Sequence, residues 1–249
     1  NPLSPSSSPA PSFTPPPGLL KFLELDREKP RTKKMIVVGF GSMVVPSPAA
    51  PFFLLFLKAA ALLNIKILIQ LGWAKLDEGG GSEEEVFRKL ADEAEKYAKG
   101  VADADLVYPD DDRNGEVGEA WEEVSSDGVG TRALVDGDDK TGDGGIWRAG
   151  QDAYRCPPCP HDLLFPLMDG VVHHGVAVTV HTSLKSKVPT WVIPFFGDQP
   201  MWGQRMEELG CGPAPISLSS LTLDIVYNRL QKLVNDNEMR ARCQKIGRR

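Results

Sequence analysis

Residues 34–72 have the sequence KMIVVGFGSMVVPSPAAPFFLLFLKAAALLNIKILIQLG. Two short apolar runs, Lys34–Phe40 and Ile65–Leu71, flank the Ala- and Leu-rich stretch Ala49–Leu63. Each short run is followed by a glycine and is typical of a buried strand, whereas the middle stretch is long enough to form a helix. A strand, a helix and a second strand in this spacing predict a βαβ unit with a parallel sheet and a right-handed crossover.

The same alternation returns in the second half of the chain. Buried strands are predicted at Gly170–His173 and Pro189–Pro194. The predicted helices are Leu19–Leu25, Val176–Lys187, Met201–Leu209, a helix to Asn235 that Thr222 caps, and a last helix that Asp236 caps. The pattern therefore predicts an α/β fold with a Rossmann-like, doubly wound parallel sheet.

The composition excludes several classes of protein. The chain has 249 residues, of which 41% are hydrophobic and 25% charged, so it can bury a core. Collagen, a disulfide-stapled miniprotein and a wholly disordered chain are excluded. A net charge of −6 argues against a nucleic-acid partner. Four cysteines without regular spacing favour reduced thiols in a cytoplasmic protein.

Two segments differ in composition from the rest. Residues 1–17 contain seven prolines and five serines, which is typical of a linker. Residues 77–145 carry 22 of the 34 acidic residues and are interpreted as an acidic, Gly-rich insertion, with a solvated helix over Glu83–Lys99. A calcium site is the alternative for its carboxylates, but Asp136–Asp143 lacks the spacing of an EF-hand loop.

Small, polar and aromatic residues follow each predicted strand. They are Gly41-Ser42, Gly72-Trp73, His173-His174-Gly175 and Gly197-Asp198-Gln199. Ligands of open α/β sheets bind at the carboxyl ends of the strands. His174 also precedes a predicted helix, whose N-terminus would offer backbone N–H groups and a positive dipole to a diphosphate. These residue types at one edge suit a nucleotide sugar.

Several motifs together carry a family resemblance. They are Val38–Met43, Gly72-Trp73, PHDLLFP at 160–166, VVHHG at 171–175, VPTWVIPFFGDQPMWG at 188–203 and ELGCGPAP at 208–215. In this order they resemble the donor-binding domain of UDP-glycosyltransferases, and in particular the sterol 3β-glucosyltransferase branch. The resemblance covers roughly residues 15–76 and 156–249 and identifies 18–249 as a donor-binding domain that the insertion interrupts.

The resemblance implies both a fold and a reaction. The fold is the C-terminal half of a glycosyltransferase-B fold. The reaction is transfer of glucose from UDP-glucose to a sterol or other lipid hydroxyl, with inversion and without a metal or a cofactor. The implied partners are a UDP-sugar and a sterol or lipid acceptor, with no nucleic acid. The implied location is cytoplasmic, with peripheral membrane contact as an open alternative.

The resemblance also implies roles for individual residues. The UDP diphosphate would be held by Gly41, Ser42, His174, Gly175 and Thr179. Asp198 and Gln199 would bind glucose hydroxyls, and Trp73 and His161 would lie near uridine. The catalytic residue is unknown, because the family's general base lies in an N-terminal acceptor domain. We therefore expect this chain alone to be inactive and interpret it as a fragment or a shortened gene product.

Three positions depart from the family pattern. The family sequence HHGGAGT is HHGVAVT at 173–179 here, so Val176 and Val178 replace glycines beside the expected phosphate. Lys187 replaces a glycine near the end of the same helix. Two β-branched side chains are expected to crowd the diphosphate, since glycine allows the closest backbone approach.

Three other interpretations remain open. The valines leave a degenerate, non-catalytic domain as the alternative function. An interaction protein that uses the acidic insertion as a partner surface is a third hypothesis. The CxxC at Cys156–Cys159 is a weaker candidate for zinc or redox chemistry, because the sequence has no second cysteine pair to complete a zinc site.

Overall fold

The computed structural model describes residues 13–23, 31–43, 45, 48–72, 76, 82–102 and 147–247. Within these residues a single parallel sheet has the strand order β3-β2-β1-β4-β5. The strands are β1 (Met35–Gly39), β2 (Lys66–Gln70), β3 (Ala153–Arg155), β4 (Gly170–His173) and β5 (Thr190–Val192). The chain winds outward from β1 through β2 to β3 and then returns to β4 beside β1. The prediction of a Rossmann-like, doubly wound sheet is confirmed.

Helices cover the sheet and connect its strands. They are α1 (Pro17–Phe22), α2 (Ala49–Leu62), α3 (Glu83–Ala102), α4 (Ala149–Asp152), α5 (His161–Leu164), α6 (Ala177–Lys185), α7 (Gln199–Glu208), α8 (Leu223–Asn235) and α9 (Asn237–Ile246). Both predicted caps are confirmed, because Thr222 Oγ1 accepts from the Ile225 N–H and Asp236 Oδ1 from the Met239 N–H. None of the helices in the described part of the chain has the length and apolar character that a membrane crossing requires.

The larger core cluster includes α2, α8 and one face of the sheet. Aromatic rings fill its centre, where Phe40, Phe52, Phe56 and Trp191 are fully buried and lie in contact. A second cluster includes α1 and the other face of β1, β2 and β4. With apolar layers on both faces, the strands are continuous hydrophobic runs, as parallel strands usually are.

Helix α3 lies inside the segment that was interpreted as an insertion. It packs against α2 through Phe87, Leu90, Ala91 and Ala94, which are all buried. This spacing forms one apolar stripe on a helix whose other faces are charged. The helix is therefore solvated on its outer side only and contributes to the core. The remainder of the predicted insertion, including the calcium alternative at Asp136–Asp143, lies outside the described residues.

Two described helices end at a non-glycine residue in the left-handed conformation. Asn64 follows α2 with φ of 52°, and Lys187 follows α6 with φ of 62°. Asparagine tolerates the left-handed conformation, whereas the lysine side chain does not offset the steric cost of this conformation. Lys187 is also the position at which the resembling family has glycine.

Replacing Lys187 with glycine is expected to raise the free energy of unfolding by about 0.5–1 kcal/mol. The left-handed conformation costs an L-residue about 1–2 kcal/mol, and the greater backbone entropy of unfolded glycine cancels part of the gain. Urea unfolding of both proteins measures the difference. An unchanged or lower midpoint in Lys187→Gly would contradict the assignment of strain to this residue.

Candidate functional site

The sheet reverses its winding direction between β1 and β4, and a crevice forms where such strands diverge. Gly41 follows β1 with φ of 57°, and a Cβ at this position would lie 3.5 Å from Cε1 of His174, which follows β4. Gly72, which follows β2, packs so closely on Gly41 that a Cβ would overlap the Gly41 carbonyl oxygen. The structure therefore brings together three loops that the sequence indicated separately.

Gly175 fixes the path of the chain between β4 and α6. Its φ is 95°, and a Cβ would lie 2.6 Å from Val192 Cγ1 and 3.1 Å from the Gln199 carbonyl oxygen. Its N–H donates to His173 Nδ1 at 2.9 Å. The turn is thus held from two sides, and only glycine fits it.

Helix α6 begins directly after this turn. Its N-cap residue is Val176, whose side chain makes no capping hydrogen bond, and its first helical bond runs from the Val180 N–H to the Val176 carbonyl. The N–H groups of Ala177, Val178 and Thr179 lie in the first turn and have no partners within the helix. With the helix dipole, this end suits an anion such as a phosphate.

The side chains of that first turn differ in exposure. Thr179 is buried, whereas Val178 is 73% exposed. Neither Val176 nor Val178 has a positive φ, so the backbone here does not require glycine. The expected crowding by the valines is therefore a matter of side-chain volume rather than of backbone strain.

Three imidazoles lie near the crevice, and the environment lowers the pKa of each. Burial is the main cause for His173, His174 and His161, and the neighbouring imidazoles contribute for the first two. The pKa of His173 falls to about 3. At neutral pH His174 can therefore offer a diphosphate an N–H donor rather than a positive charge. His161, the first residue of α5, stacks on Phe165 with ring centroids 4.5 Å apart.

The two residues predicted to bind the sugar have different surroundings. Gln199 is buried, and its Oε1 accepts from the N–H groups of Phe195 at 2.7 Å and Phe196 at 3.2 Å. Asp198 is exposed, and its Oδ2 accepts from Trp202 Nε1 at 2.9 Å. In this conformation Gln199 shapes the loop after β5, while Asp198 is available to a ligand. The sugar-binding roles of both remain predictions.

The structure describes only part of the remaining candidate site residues. Ser42 is exposed in the turn after β1, and Trp73 lies outside the described residues. Met43, which the sequence did not indicate, contacts Gln199 Nε2 through its sulfur at 3.7 Å.

Cys156 and Cys159 are free thiols, and burial raises the pKa of Cys156 to about 12, which disfavours a thiolate. Among the described residues no group of three or more His, Cys, Asp or Glu is arranged to hold a metal.

Comparison with known sequences finds similarity to glycosyltransferases. Residues 154–248 match a family model described as "Erythromycin biosynthesis protein CIII-like, C-terminal domain". The chain is 49% identical over 98 residues to sterol 3-beta-glucosyltransferase UGT80B1 of Arabidopsis thaliana, covering 39% of this chain and 16% of that protein. The chain is therefore similar to glycosyltransferases over the residues that these two matches cover. The resemblance to UDP-glycosyltransferases is thereby confirmed.

A longer alignment supports the same assignment. The chain is 26% identical over 237 residues to the sterol 3-beta-glucosyltransferase of Aspergillus fumigatus, covering 95% of this chain and 12% of that one. The chain therefore spans only 12–16% of the length of these two relatives.

Solved structures agree on the fold. The glycotransferase of kitacinnamycin superimposes with a TM-score of 0.52 at 17% identity, covering 88% of this chain and 40% of that one. Spinosyn forosaminyltransferase SpnP superimposes with a TM-score of 0.50 at 16% identity, covering 95% and 44% respectively. The prediction that the chain has the fold of one half of a glycosyltransferase-B structure is confirmed.

Proposed function

We propose that this domain binds UDP-glucose and supplies the donor side of an inverting transfer of glucose to a sterol or other lipid hydroxyl. The observation that carries the proposal is the convergence of Gly41, His174 and the N-terminus of α6 at the switch point of the sheet. The sterol 3-beta-glucosyltransferases among its relatives support the choice of donor and acceptor.

The site would act chiefly on the leaving group. As the glycosidic bond breaks, negative charge develops on the terminal phosphate of UDP. Backbone N–H groups of α6, the helix dipole and the N–H of neutral His174 would stabilise that charge, with further hydrogen bonds from Ser42 and Thr179. A site built from such donors needs no metal and no cofactor beyond the donor substrate. The general base that accepts the proton of the lipid hydroxyl is assigned to an acceptor domain.

The remaining contacts of the proposal concern the two ends of the donor. Asp198 and Gln199 would bind glucose hydroxyls, and His161 and Trp73 would lie beside uridine. A lipid acceptor also implies peripheral contact with a membrane surface from a cytoplasmic location. The alternative, a degenerate domain, is supported only by the sequence change at Val176 and Val178. The two functions differ in what they predict for ligand binding, since only a donor-binding domain should bind UDP and UDP-glucose.

Replacing both Val176 and Val178 with glycine is expected to tighten UDP binding about tenfold, which corresponds to about 1.4 kcal/mol. The change removes two branched side chains from the first turn of α6, where a phosphate must approach the backbone. Calorimetric titration with UDP measures the effect. The matched pair Val176→Ala and Val178→Ala should give an intermediate affinity, because it reduces volume without loosening the backbone. Unchanged affinity in both double variants would refute the crowding argument.

The proposed function is tested by calorimetric titration of the whole chain with UDP and with UDP-glucose. We expect saturable binding of both ligands, and we expect Asp198→Ala to weaken UDP-glucose while it leaves UDP unaffected. A folded chain that binds neither ligand at millimolar concentration would overturn the proposal and favour the degenerate domain.

A further inference from the structure

Trp202 lies on α7 one turn after Asp198, and its indole Nε1 donates to Asp198 Oδ2 at 2.9 Å. This length is within the range of a hydrogen bond between an N–H group and a charged carboxylate. The bond fixes one oxygen of Asp198 and leaves the other oxygen available to a hydroxyl group. Trp202 is therefore placed to orient the Asp198 carboxylate.

Asp198 occupies the N-cap position of α7 but does not act as a cap. An aspartate at this position normally accepts from the N–H group of the second or third helical residue. No such bond forms here, and the second residue is Pro200, which has no N–H group. The carboxylate is thus released from the usual role of its position and is held by the indole instead.

The indole is itself held by a residue of another helix. The ring of His181, on α6, meets the ring of Trp202 edge to face, with centroids 5.7 Å apart and planes at 85°. This arrangement is favourable for aromatic pairs and restricts the rotation of the indole. His181, Trp202 and Asp198 therefore connect the helix that begins at the candidate phosphate site with the candidate sugar-binding carboxylate.

We propose that Trp202 is a positioning residue that orients Asp198 for recognition of the glucosyl group of the donor. The inference rests on the proposed function, because it requires that UDP-glucose binds here. UDP carries no sugar, so Trp202 affects the affinity for UDP-glucose and not the affinity for UDP.

Two substitutions separate the hydrogen bond from the ring. Trp202→Phe keeps an aromatic ring for His181 but removes the N–H donor. Trp202→Gln keeps an N–H donor, since glutamine four residues after aspartate on a helix can hydrogen-bond to it. Calorimetric titration of the whole chain should show that Trp202→Phe weakens UDP-glucose about fivefold with UDP within twofold of the unaltered chain. Trp202→Gln should recover part of the lost affinity.

A double variant distinguishes positioning from a general structural role. In the Asp198→Ala background, Trp202→Phe should cause no further loss of UDP-glucose affinity, because the group on which it acts is gone. Equal weakening of UDP and UDP-glucose, an additive loss in the double variant, or unaltered affinity in Trp202→Phe would each overturn the inference while the proposed function stands. Failure of the unaltered chain to bind either ligand would overturn the proposed function and this inference together.

Discussion

Lowering the pH from 7 to 5 is expected to reduce the free energy of unfolding by about 2 kcal/mol through His173 alone. The folded state holds the pKa of this imidazole at about 3, whereas an unfolded histidine titrates near pH 6.5. As the pH falls below 6.5 the unfolded chain gains a proton that the folded chain does not accept. The contribution of His173 to stability is therefore present above about pH 6.5 and is lost progressively as the pH falls toward 3. The lowered pKa values of His174 and His161 act in the same direction.

The variant His173→Asn isolates this contribution. Asparagine places an oxygen near the position of Nδ1, so it can accept the Gly175 N–H bond, but it does not titrate. Urea unfolding at pH 7, 6 and 5 should show a shallower loss of stability in the variant, by about 2 kcal/mol over this range. Val178→Ala, which shortens an exposed side chain and changes no titratable group, is the control and should keep the original slope. Equal slopes in His173→Asn and the unaltered chain would contradict the assignment.

Replacing Gly175 with alanine is expected to reduce the free energy of unfolding by about 3 kcal/mol and to weaken UDP binding at least tenfold. A φ of 95° costs an alanine about 1–2 kcal/mol, and the added Cβ overlaps Val192 Cγ1 and approaches the Gln199 carbonyl, which adds about 1–3 kcal/mol. Relief of the overlap must move the turn that sets the start of α6. Urea unfolding and calorimetric titration measure the two effects.

Gly100 supplies the matched control for this substitution. It lies on α3, away from the sheet edge, and a Cβ there meets nothing within 4 Å. Gly100→Ala should therefore stabilise the chain by about 0.5–1 kcal/mol and leave UDP binding unchanged. If Gly175→Ala were as stable as the unaltered chain and bound UDP equally well, the rigid turn would have no role in forming the site.

The central strands and their connecting helices were predictable because their patterns are local. The apolar runs that form β1, β2 and β4 and the capped helices α8 and α9 agree with the structure to within about one residue at most ends. Strand β3 was missed, because three residues give no periodic pattern and are recognisable only through their pairing with β2.

The acidic segment shows how charge content conceals a packed helix. The high acidic content of residues 77–145 predicted solvation throughout, but Phe87 and Leu90 on α3 pack against α2. A helix that packs on one side needs an apolar stripe over only about a third of its surface, so its mean composition can be polar. Hydrophobic spacing within Glu83–Ala102 is the signal that could have identified the buried side, and it was not used in the prediction.

The residues of the candidate site were predictable from the sequence, but the hydrogen bonds between them were not. Strand ends and family motifs indicated Gly41, His174 and Asp198, and the sheet topology brings the first two into contact. The hydrogen bonds of Gln199 to the loop after β5, and of Trp202 to Asp198, depend on side-chain conformations that no sequence pattern specifies.

The central claim is that a donor diphosphate binds at the N-terminus of α6. It is tested most directly by titrating the ¹⁵N-labelled chain with UDP while the backbone amide resonances of Ala177, Val178 and Thr179 are followed by NMR. We predict that these three amides show the largest shifts, together with Gly41 and Gly175, and that they saturate with the calorimetric affinity. Saturable shifts located elsewhere, with the amides of α6 unmoved, would contradict the account.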